Sequence, residues 1–392
     1  MFFNNKTNII TVLVLLFSFN LFAQKGIFKK GIITPSIYNE ILNYTLKEDH
    51  IYVDVIIENK IYKFIVDTGA PTSITFNVKG DFKFIYEDEL YDASNNVSKV
   101  KYVSIPSIKI GNLEYKNFTA VQSDMDAFKS LGVDGLIGGN MISKSCWDFD
   151  LENNRITLSN TLDKKEIGLF NKVKVKKEDT GTPTLTMSYF NGLKEKNIFF
   201  DTGYNDFFYL SEDMFNTLND KKVFSKALTG EGVISYSAFG PSIGKTYIAP
   251  LEMKIGNYEI PVFITTVDVD DTSNLGSKWL QYYRTILYKN HFYFKPYNKS
   301  FSQTYENIGI KTKLKNNELV ISFVWDSPAI RKNNLKIDDK ILSVNDREIS
   351  AMSKEELKEV QRNAFKADKV KIEVNTKGNF GSTLKVGEES VK

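Results

Sequence analysis

The sequence predicts a mainly β protein made of two similar lobes followed by a smaller, separate C-terminal unit. Three observations predict it. Short apolar runs rich in Ile, Val, Phe and Tyr recur between Gly, Asn and Asp clusters from Leu42 onward. Asp67-Thr68-Gly69 and Ile108-Lys109-Ile110-Gly111-Asn112 return in the same order as Asp201-Thr202-Gly203 and Met253-Lys254-Ile255-Gly256-Asn257. Beyond about Ser300 the texture changes to strands mixed with two capped helices.

The chain has 392 residues, enough for two or three domains with real cores. Apolar residues at 42% and charged ones at 25% exclude wholesale disorder. Basic residues number 51 and acidic ones 48, so bulk charge supports neither a nucleic-acid partner nor an anionic surface. Aromatics at 13% favour strands. A single cysteine, Cys146, forms no intramolecular disulfide and reads as buried core; two histidines, His50 and His291, argue against a His-rich metal site.

At the N-terminus, Lys6 precedes an apolar run from Ile9 to Phe22, closed by Ala23 and followed by Gln24-Lys25-Gly26. A basic start, an apolar stretch too short for a comfortable membrane span and a small residue at its end read as a signal peptide over 1–23. The mature chain is then exported, to the periplasm or the extracellular medium, with no membrane span left after processing.

The first lobe is read over 24–160. Ile51–Ile57 and Ile61–Val66 are strands joined by the turn Glu58-Asn59-Lys60, and the second runs straight into Asp67-Thr68-Gly69-Ala70. Leu136-Ile137-Gly138-Gly139 follows downstream. The second lobe is read over 161–303. Asp163 to Lys177 is a lysine-rich linker passing into its first strand, where Val173 and Val175 alternate with lysines. Ile198-Phe199-Phe200 then leads into Asp201-Thr202-Gly203-Tyr204. Ile286-Leu287-Tyr288 is taken as the counterpart of the apolar-Gly-Gly segment, which makes lobe two a partly eroded copy.

In the C-terminal unit, 304–392, Leu319–Val324, Lys340–Val344 and Val370–Val374 read as strands. Ser327-Pro328-Ala329 opens one helix by a serine cap and early proline, and Ser353-Lys354-Glu355-Glu356 opens another by a capping box.

The chemistry sits in the paired tripeptides. Each carboxylate emerges from an apolar strand onto a sharp turn, where glycine lets backbone approach closely and threonine bonds locally. Pseudo-twofold symmetry would bring Asp67 and Asp201 side by side. Two such carboxyls share one proton and titrate as a pair. One carboxylate can then deprotonate a water while the other, as an acid, polarises a carbonyl, without a covalent intermediate. Asp268-Val269-Asp270-Asp271 lacks the spacing of a calcium loop and reads as a solvated turn. No metal and no organic cofactor is expected.

Phe64-Ile65-Val66-Asp67-Thr68-Gly69-Ala70, Phe199-Phe200-Asp201-Thr202-Gly203 and Leu136-Ile137-Gly138-Gly139 resemble the aspartic proteases of the retropepsin and pepsin group. More closely, they resemble the bacterial exported aspartyl proteases that join two retropepsin-like lobes in one chain. The resemblance implies two pseudo-symmetric β-barrel lobes forming a pepsin-like cleft. It implies Asp67 and Asp201 as the catalytic dyad, braced by Thr68, Gly69, Ala70, Thr202 and Gly203. Tyr204 departs from the small residue usual after the second tripeptide. The resemblance also implies hairpin flaps over the cleft. Gly230 to Gly240 is the candidate in lobe two, with Gly232 as a hinge and Tyr236 and Phe239 near the tip; Asp92 to Asn96 is the matching loop in lobe one.

Asn307-Ile308-Gly309-Ile310, Ser327-Pro328-Ala329 and Leu335 to Asn345 resemble a PDZ domain of the bacterial protease-associated kind, an α+β unit with a small β-sandwich and two helices. In PDZ domains the loop corresponding to Ile308, Gly309 and Ile310 binds a chain-terminal carboxylate while the peptide adds a strand to an open edge. Asp339 stands where glycine is usual. The partners implied are a peptide or protein substrate and a C-terminal peptide, around a monomer. The sequence therefore reads as an exported aspartic endopeptidase whose PDZ domain recruits or regulates substrate. The alternative is a non-catalytic peptide-binding pseudoprotease of the cell envelope.

Overall fold

The computed structural model describes residues 17–18, 26–92, 94–189, 192–224, 227–268, 272–298, 309–363, 370–376 and 379–386. Apart from Phe17–Ser18, which pairs with Tyr91 and Asp92, the signal-peptide segment lies outside the described residues.

Alternation of apolar and polar residues builds a mainly β chain. In lobe one, strands β1 (His50–Ile57) and β2 (Lys60–Val66) form a hairpin in which Tyr52 faces Ile65. The long hairpin of β3 (Lys83–Asp92) and β4 (Val97–Ile110) continues into β5 (Leu113–Gln122). After helix α1 (Asp126–Leu131), strand β6 (Gly135–Ile137) threads back parallel to β2, with Leu136 beside Ile65 and Ile137 beside Val66.

Lobe two repeats this order. Strand β9 (Pro183–Tyr189) pairs with β10 (Lys194–Asp201), and β12 (Leu228–Tyr236) and β13 (Pro241–Ile255) form the long hairpin that continues into β14 (Tyr258–Asp268). Between them lie β11 (Phe208–Ser211) and helix α2 (Glu212–Asp220), whose N-terminus is capped by the Ser211 hydroxyl. Strand β15 (Asn274–Gly276) runs parallel to β10, with Leu275 beside Phe200 and Gly276 beside Asp201.

A shared sheet joins the lobes. Its central pair is β7 (Cys146–Asp150) and β16 (Tyr283–Tyr288), with Trp147 opposite Leu287 and Phe149 opposite Thr285. Outside these lie β8 (Arg155–Ser159) with Asn39–Leu42 on one side, and β17 (His291–Pro296) with Asn171–Lys174 on the other. The lysine-rich stretch is thus more than a linker, because Val173 packs toward the core from an edge strand while Lys172 and Lys174 face solvent. One apolar core runs through both lobes, from Phe64 and Phe118 through Trp147 to Phe200, Trp279 and Phe294. Cys146 is buried, and burial pushes its thiol up to about 12, as suits a packing residue.

Ile286-Leu287-Tyr288 therefore belongs to the shared sheet and is not the counterpart of Leu136-Ile137-Gly138. Strand pairing gives that place to Asn274-Leu275-Gly276. Lobe two keeps its glycine there and is not eroded at this point.

The C-terminal unit has its own core, including Ile310, Ile321, Ile341, Leu357 and Val374. Strand β18 (Ile310–Lys315) pairs with β19 (Glu318–Trp325), followed by helix α3 (Pro328–Asn333), β20 (Lys340–Val344), helix α4 (Lys354–Asn363), β21 (Val370–Thr376) and β22 (Asn379–Val386). Both predicted caps form: Ile330 N–H donates to the Ser327 hydroxyl, and Ser353 and Glu356 bond reciprocally.

Candidate active site

Both Asp-Thr-Gly turns leave their strands at the same level and meet across the lobes. Thr68 Oγ1 donates to the Phe200 carbonyl at 2.6 Å, and Thr202 Oγ1 donates to the Val66 carbonyl at 2.8 Å. Each hydroxyl also accepts the opposite threonine's amide, at 3.1 and 3.0 Å. Four buried hydrogen bonds thus lock the turns in a symmetric grip.

The carboxyls sit above this grip. Gly69 N–H donates to Asp67 Oδ1 and Gly203 N–H to Asp201 Oδ1, each at 2.8 Å. A Cβ on Gly69 would lie 2.3 Å from Asp201 Cγ, and one on Gly203 would lie 2.5 Å from Asp67 Cγ. Only glycine fits between the aspartates, so the pair sits face to face because both turns lack a side chain. Gly138, whose own Cβ would strike the Pro71–Thr72 backbone, plays the same part behind Ala70.

Both carboxyls are wholly buried. Burial first, and the neighbouring Asp201 charge next, hold the Asp67 carboxyl well above the usual carboxylate range. Burial raises Asp201 as well, opposed by hydrogen bonds from Asn274, Asp67 and the Gly203 amide. Two buried carboxyls this close hold one proton between them at moderately acid pH.

Two neighbours, Asn274 and His50, were not legible in the sequence, and a third, Tyr204, stood there only as a departure. Asn274 Nδ2 donates to Asp201 Oδ2 at 2.9 Å. His50 Nε2 lies 3.1 Å from the Gly203 carbonyl and bonds to it, supporting the second turn from lobe one; burial lowers its imidazole to about 4, so it is neutral. Tyr204 is fully buried edge-on to Tyr209, and the bulk is accommodated because Gly276 lies against its ring.

The tips of the two long hairpins meet each other. Asp92, at the tip of β3, accepts the Phe239 amide at 2.9 Å, the Ser94 and Ser237 hydroxyls bond, and Ala127 N–H donates to the Ala238 carbonyl at 3.4 Å. Ala238, Tyr236 and Phe239 pack into a lobe-one cluster with Leu90, Tyr102 and Phe128. Of the predicted loop Asp92 to Asn96, Ala93 lies outside the described residues.

Gly232, read from the sequence as a hinge, is a point of close approach. It lies within β12 at φ +123°, where a Cβ would meet the Ser322 carbonyl oxygen at 2.3 Å. A Cβ on Gly230 would meet the Phe323 ring at 2.3 Å and the Trp325 ring at 2.6 Å. These glycines let the C-terminal unit seat on the flap: β19 pairs with β12, Gly230 opposite Trp325 and Gly232 opposite Phe323. Asp326 N–H donates to the Thr229 carbonyl at 2.8 Å, and Lys311 Nζ to the Ile234 carbonyl at 2.9 Å. Phe323 and Trp325 are buried against Ile248 and Leu228 of the same hairpin.

Of the predicted carboxylate loop, Ile308 lies outside the described residues, the Gly309 carbonyl accepts the Trp325 amide at 2.8 Å, and the Ile310 side chain is core. Along β18, whose other neighbour is β19, Gln361 of α4 reaches the Thr312 carbonyl at 3.1 Å.

Residues 53–141 match the family model described as aspartyl protease, and residues 299–375 match that of the PDZ domain. The chain thus joins an aspartyl protease-like domain to a PDZ domain. No curated protein matches it. Similar solved structures include Basic 7S globulin from soybean, 9% identical with a TM-score of 0.42, covering 66% of this chain and 95% of that one. The aspartic proteinase from Irpex lacteus is 10% identical with a TM-score of 0.42, covering 67% of this chain and 98% of its own. A retropepsin-like aspartic protease from Rickettsia conorii is 18% identical with a TM-score of 0.22, covering 33% of this chain and 92% of its own.

Proposed function

We propose that this chain is an exported aspartic endopeptidase in which Asp67 and Asp201 act as one catalytic unit, and that its PDZ domain regulates access to the cleft. The observation that carries this reading is the pair of buried carboxyls, each seated over the other turn's glycine and braced by the reciprocal threonine bonds. A pair holding one proton has the two groups that hydrolysis of a peptide needs. The carboxylate takes a proton from water as the water oxygen attacks the carbonyl carbon, and the carboxylic acid gives its proton to the carbonyl oxygen. The resulting gem-diol collapses as the first group protonates the leaving nitrogen and the second recovers a proton from a diol hydroxyl. The C–N bond breaks, and the dyad ends as it began.

Regulation through the flap is supported by where the PDZ domain sits. With the flap tips in contact both carboxyls are shielded from solvent, so substrate entry requires the tips to part. The tip contacts are the packing of Tyr236, Ala238 and Phe239 against the lobe-one cluster and a few hydrogen bonds, each hydrogen bond worth roughly 0.5–1.5 kcal/mol net. Seating the PDZ domain buries Phe323 and Trp325, about 1.5–3 kcal/mol apiece, besides the strand pairing. The PDZ domain is thus fixed to the flap hairpin by strand pairing and two buried aromatics, and travels with it. A peptide lying along the outer edge of β18 would bias that movement. Export rests on the leader pattern of residues 1–23.

The test is cleavage of a mixed peptide library by residues 24–392 between pH 3 and 7, with and without a statine-containing peptide that mimics the gem-diol. Cleavage suppressed by the mimic is expected. Peptides bound intact across this range would favour a peptide-binding protein instead.

A further inference from the structure

The dyad is symmetric in its turns but not in its surroundings. In lobe one, the residue beside Ile65 on the returning strand is Leu136; in lobe two, the residue at the same register, beside Phe199, is Asn274. Leucine offers the Asp67 carboxyl nothing. Asn274 Nδ2 donates to Asp201 Oδ2 at 2.9 Å, with both side chains wholly buried. Asp201 thus receives a donor on each oxygen, from Gly203 and from Asn274. Asp67 Oδ1 receives Gly69 N–H, and among the described residues no donor reaches Asp67 Oδ2.

We propose that Asn274 is a positioning residue that fixes the shared proton on Asp67. This rests on the dyad reading given above. An amide N–H aimed at a buried oxygen favours the ionised form of that carboxyl, and the oxygen left without a donor is where the proton sits at least cost. Asp201 is then the base that takes the proton of the attacking water, and Asp67 is the acid that protonates the substrate carbonyl oxygen. In the collapse Asp201 returns its proton to the leaving nitrogen and Asp67 regains one from the diol hydroxyl.

The other titratable groups around the turns do not supply this asymmetry. His50 is neutral and meets the Gly203 carbonyl, not a carboxyl. Glu195, behind β15, is tied up by Tyr189 and by the Ser273 hydroxyl at 2.8 Å. Asp206 pairs with Lys278 at 3.3 Å, and Asp49, raised to about 6 by burial, bonds Gln281. Burial and the facing Asp201 charge favour the protonated form of Asp67, the direction that the assignment needs.

The test uses the full chain with Asn274→Leu, the residue lobe one carries at this register, and the isosteric Asn274→Asp. In each, the acid limb of the pH profile of kcat/KM is expected to move up by about one pH unit, the effect of losing one charge-assisted hydrogen bond. An acid limb that stays put or moves down in both variants overturns the proposal. A second readout does not need activity. In Asp67→Asn protein the Asp201 carboxyl is followed by ¹³C NMR, and its midpoint is expected to rise when Asn274→Leu is added. No rise overturns the proposal, whereas a rise in Asp67→Asn protein, found together with a wild-type chain that cleaves no peptide, supports it and sinks the endopeptidase reading.

Discussion

Asp92 at the tip of one flap accepts the backbone amide of Phe239 at the tip of the other, 2.9 Å away. The same carboxylate holds its own loop, accepting Ser94 and Asn96 N–H at 3.0 and 2.9 Å. One side chain therefore shapes one flap tip and latches it to the other. Asp92→Ala removes all three bonds and should speed amide exchange of residues 94–97 and 236–241 by at least about tenfold, the equivalent of roughly one of them, while β1 and β2 keep their protection. Unchanged exchange at the tips would show that the Ser94–Ser237 and Ala127–Ala238 hydrogen bonds and the packing of Tyr236, Ala238 and Phe239 hold the flaps together without Asp92.

The threonine grip predicts a stability series. Thr202→Ala removes a donor to the Val66 carbonyl and an acceptor for the Thr68 amide, leaving both buried without a partner. Urea unfolding should report a loss of about 2–3 kcal/mol, most of it recovered in Thr202→Ser, which keeps the hydroxyl. Alanine and serine variants of equal stability would mean that the grip contributes little.

Two groups give opposite pH slopes. His50 is lowered to about 4 in the folded protein from an ordinary 6.5, so the unfolded chain binds the extra proton. Its contribution to stability is present above 6.5 and is lost as pH falls toward 4, by up to about 3 kcal/mol. His50→Gln should flatten the pH dependence of unfolding in this window.

The dyad acts the other way. Both aspartates are raised above the ordinary 3.8, so their contribution is present below that value and is lost as pH rises through the folded values. Asp67→Asn should therefore be more stable than wild type at pH 7, with the gap closing toward pH 3. A gap that widens on acidification would contradict the shared proton.

Gly232→Val addresses the PDZ seat. A side chain there meets the Ser322 carbonyl and needs a backbone conformation that valine avoids. The variant should release the PDZ domain from the flap, seen as a larger radius of gyration in solution scattering and loss of exchange protection along 228–236. A wild-type radius with protected flap strands would show that β12 and β19 stay paired without the glycine.

The tripeptides were legible because a sharp turn after an apolar strand is written locally: Asp67 and Asp201, their threonines and glycines all lie where the turn needs them. The two helix caps of the C-terminal unit were legible for the same reason. What failed depended on register. Asn274-Leu275-Gly276 looks unlike Leu136-Ile137-Gly138, and only pairing with Phe199, Phe200 and Asp201 identifies it. Spacing was the available signal, since Gly138 follows Asp67 by 71 residues and Gly276 follows Asp201 by 75, whereas Tyr288 follows it by 87. Gly230 and Gly232 were misread because glycine marks both a flexible hinge and a close approach, and the approaching strand is about 90 residues away. His50 carried no signal, because its partner is a backbone carbonyl of the other lobe.

The central claim is that Asp67 and Asp201 act as a single unit, and non-additivity tests it most directly. Peptide hydrolysis would be measured for Asp67→Asn, Asp201→Asn and the double variant at the wild-type optimum. Groups that work as one lose nearly all activity at the first substitution, so the account predicts that each single variant falls about as far as the double one. A single variant that keeps substantial activity, with losses that multiply in the double, would mean that the two carboxyls act separately and would contradict the account.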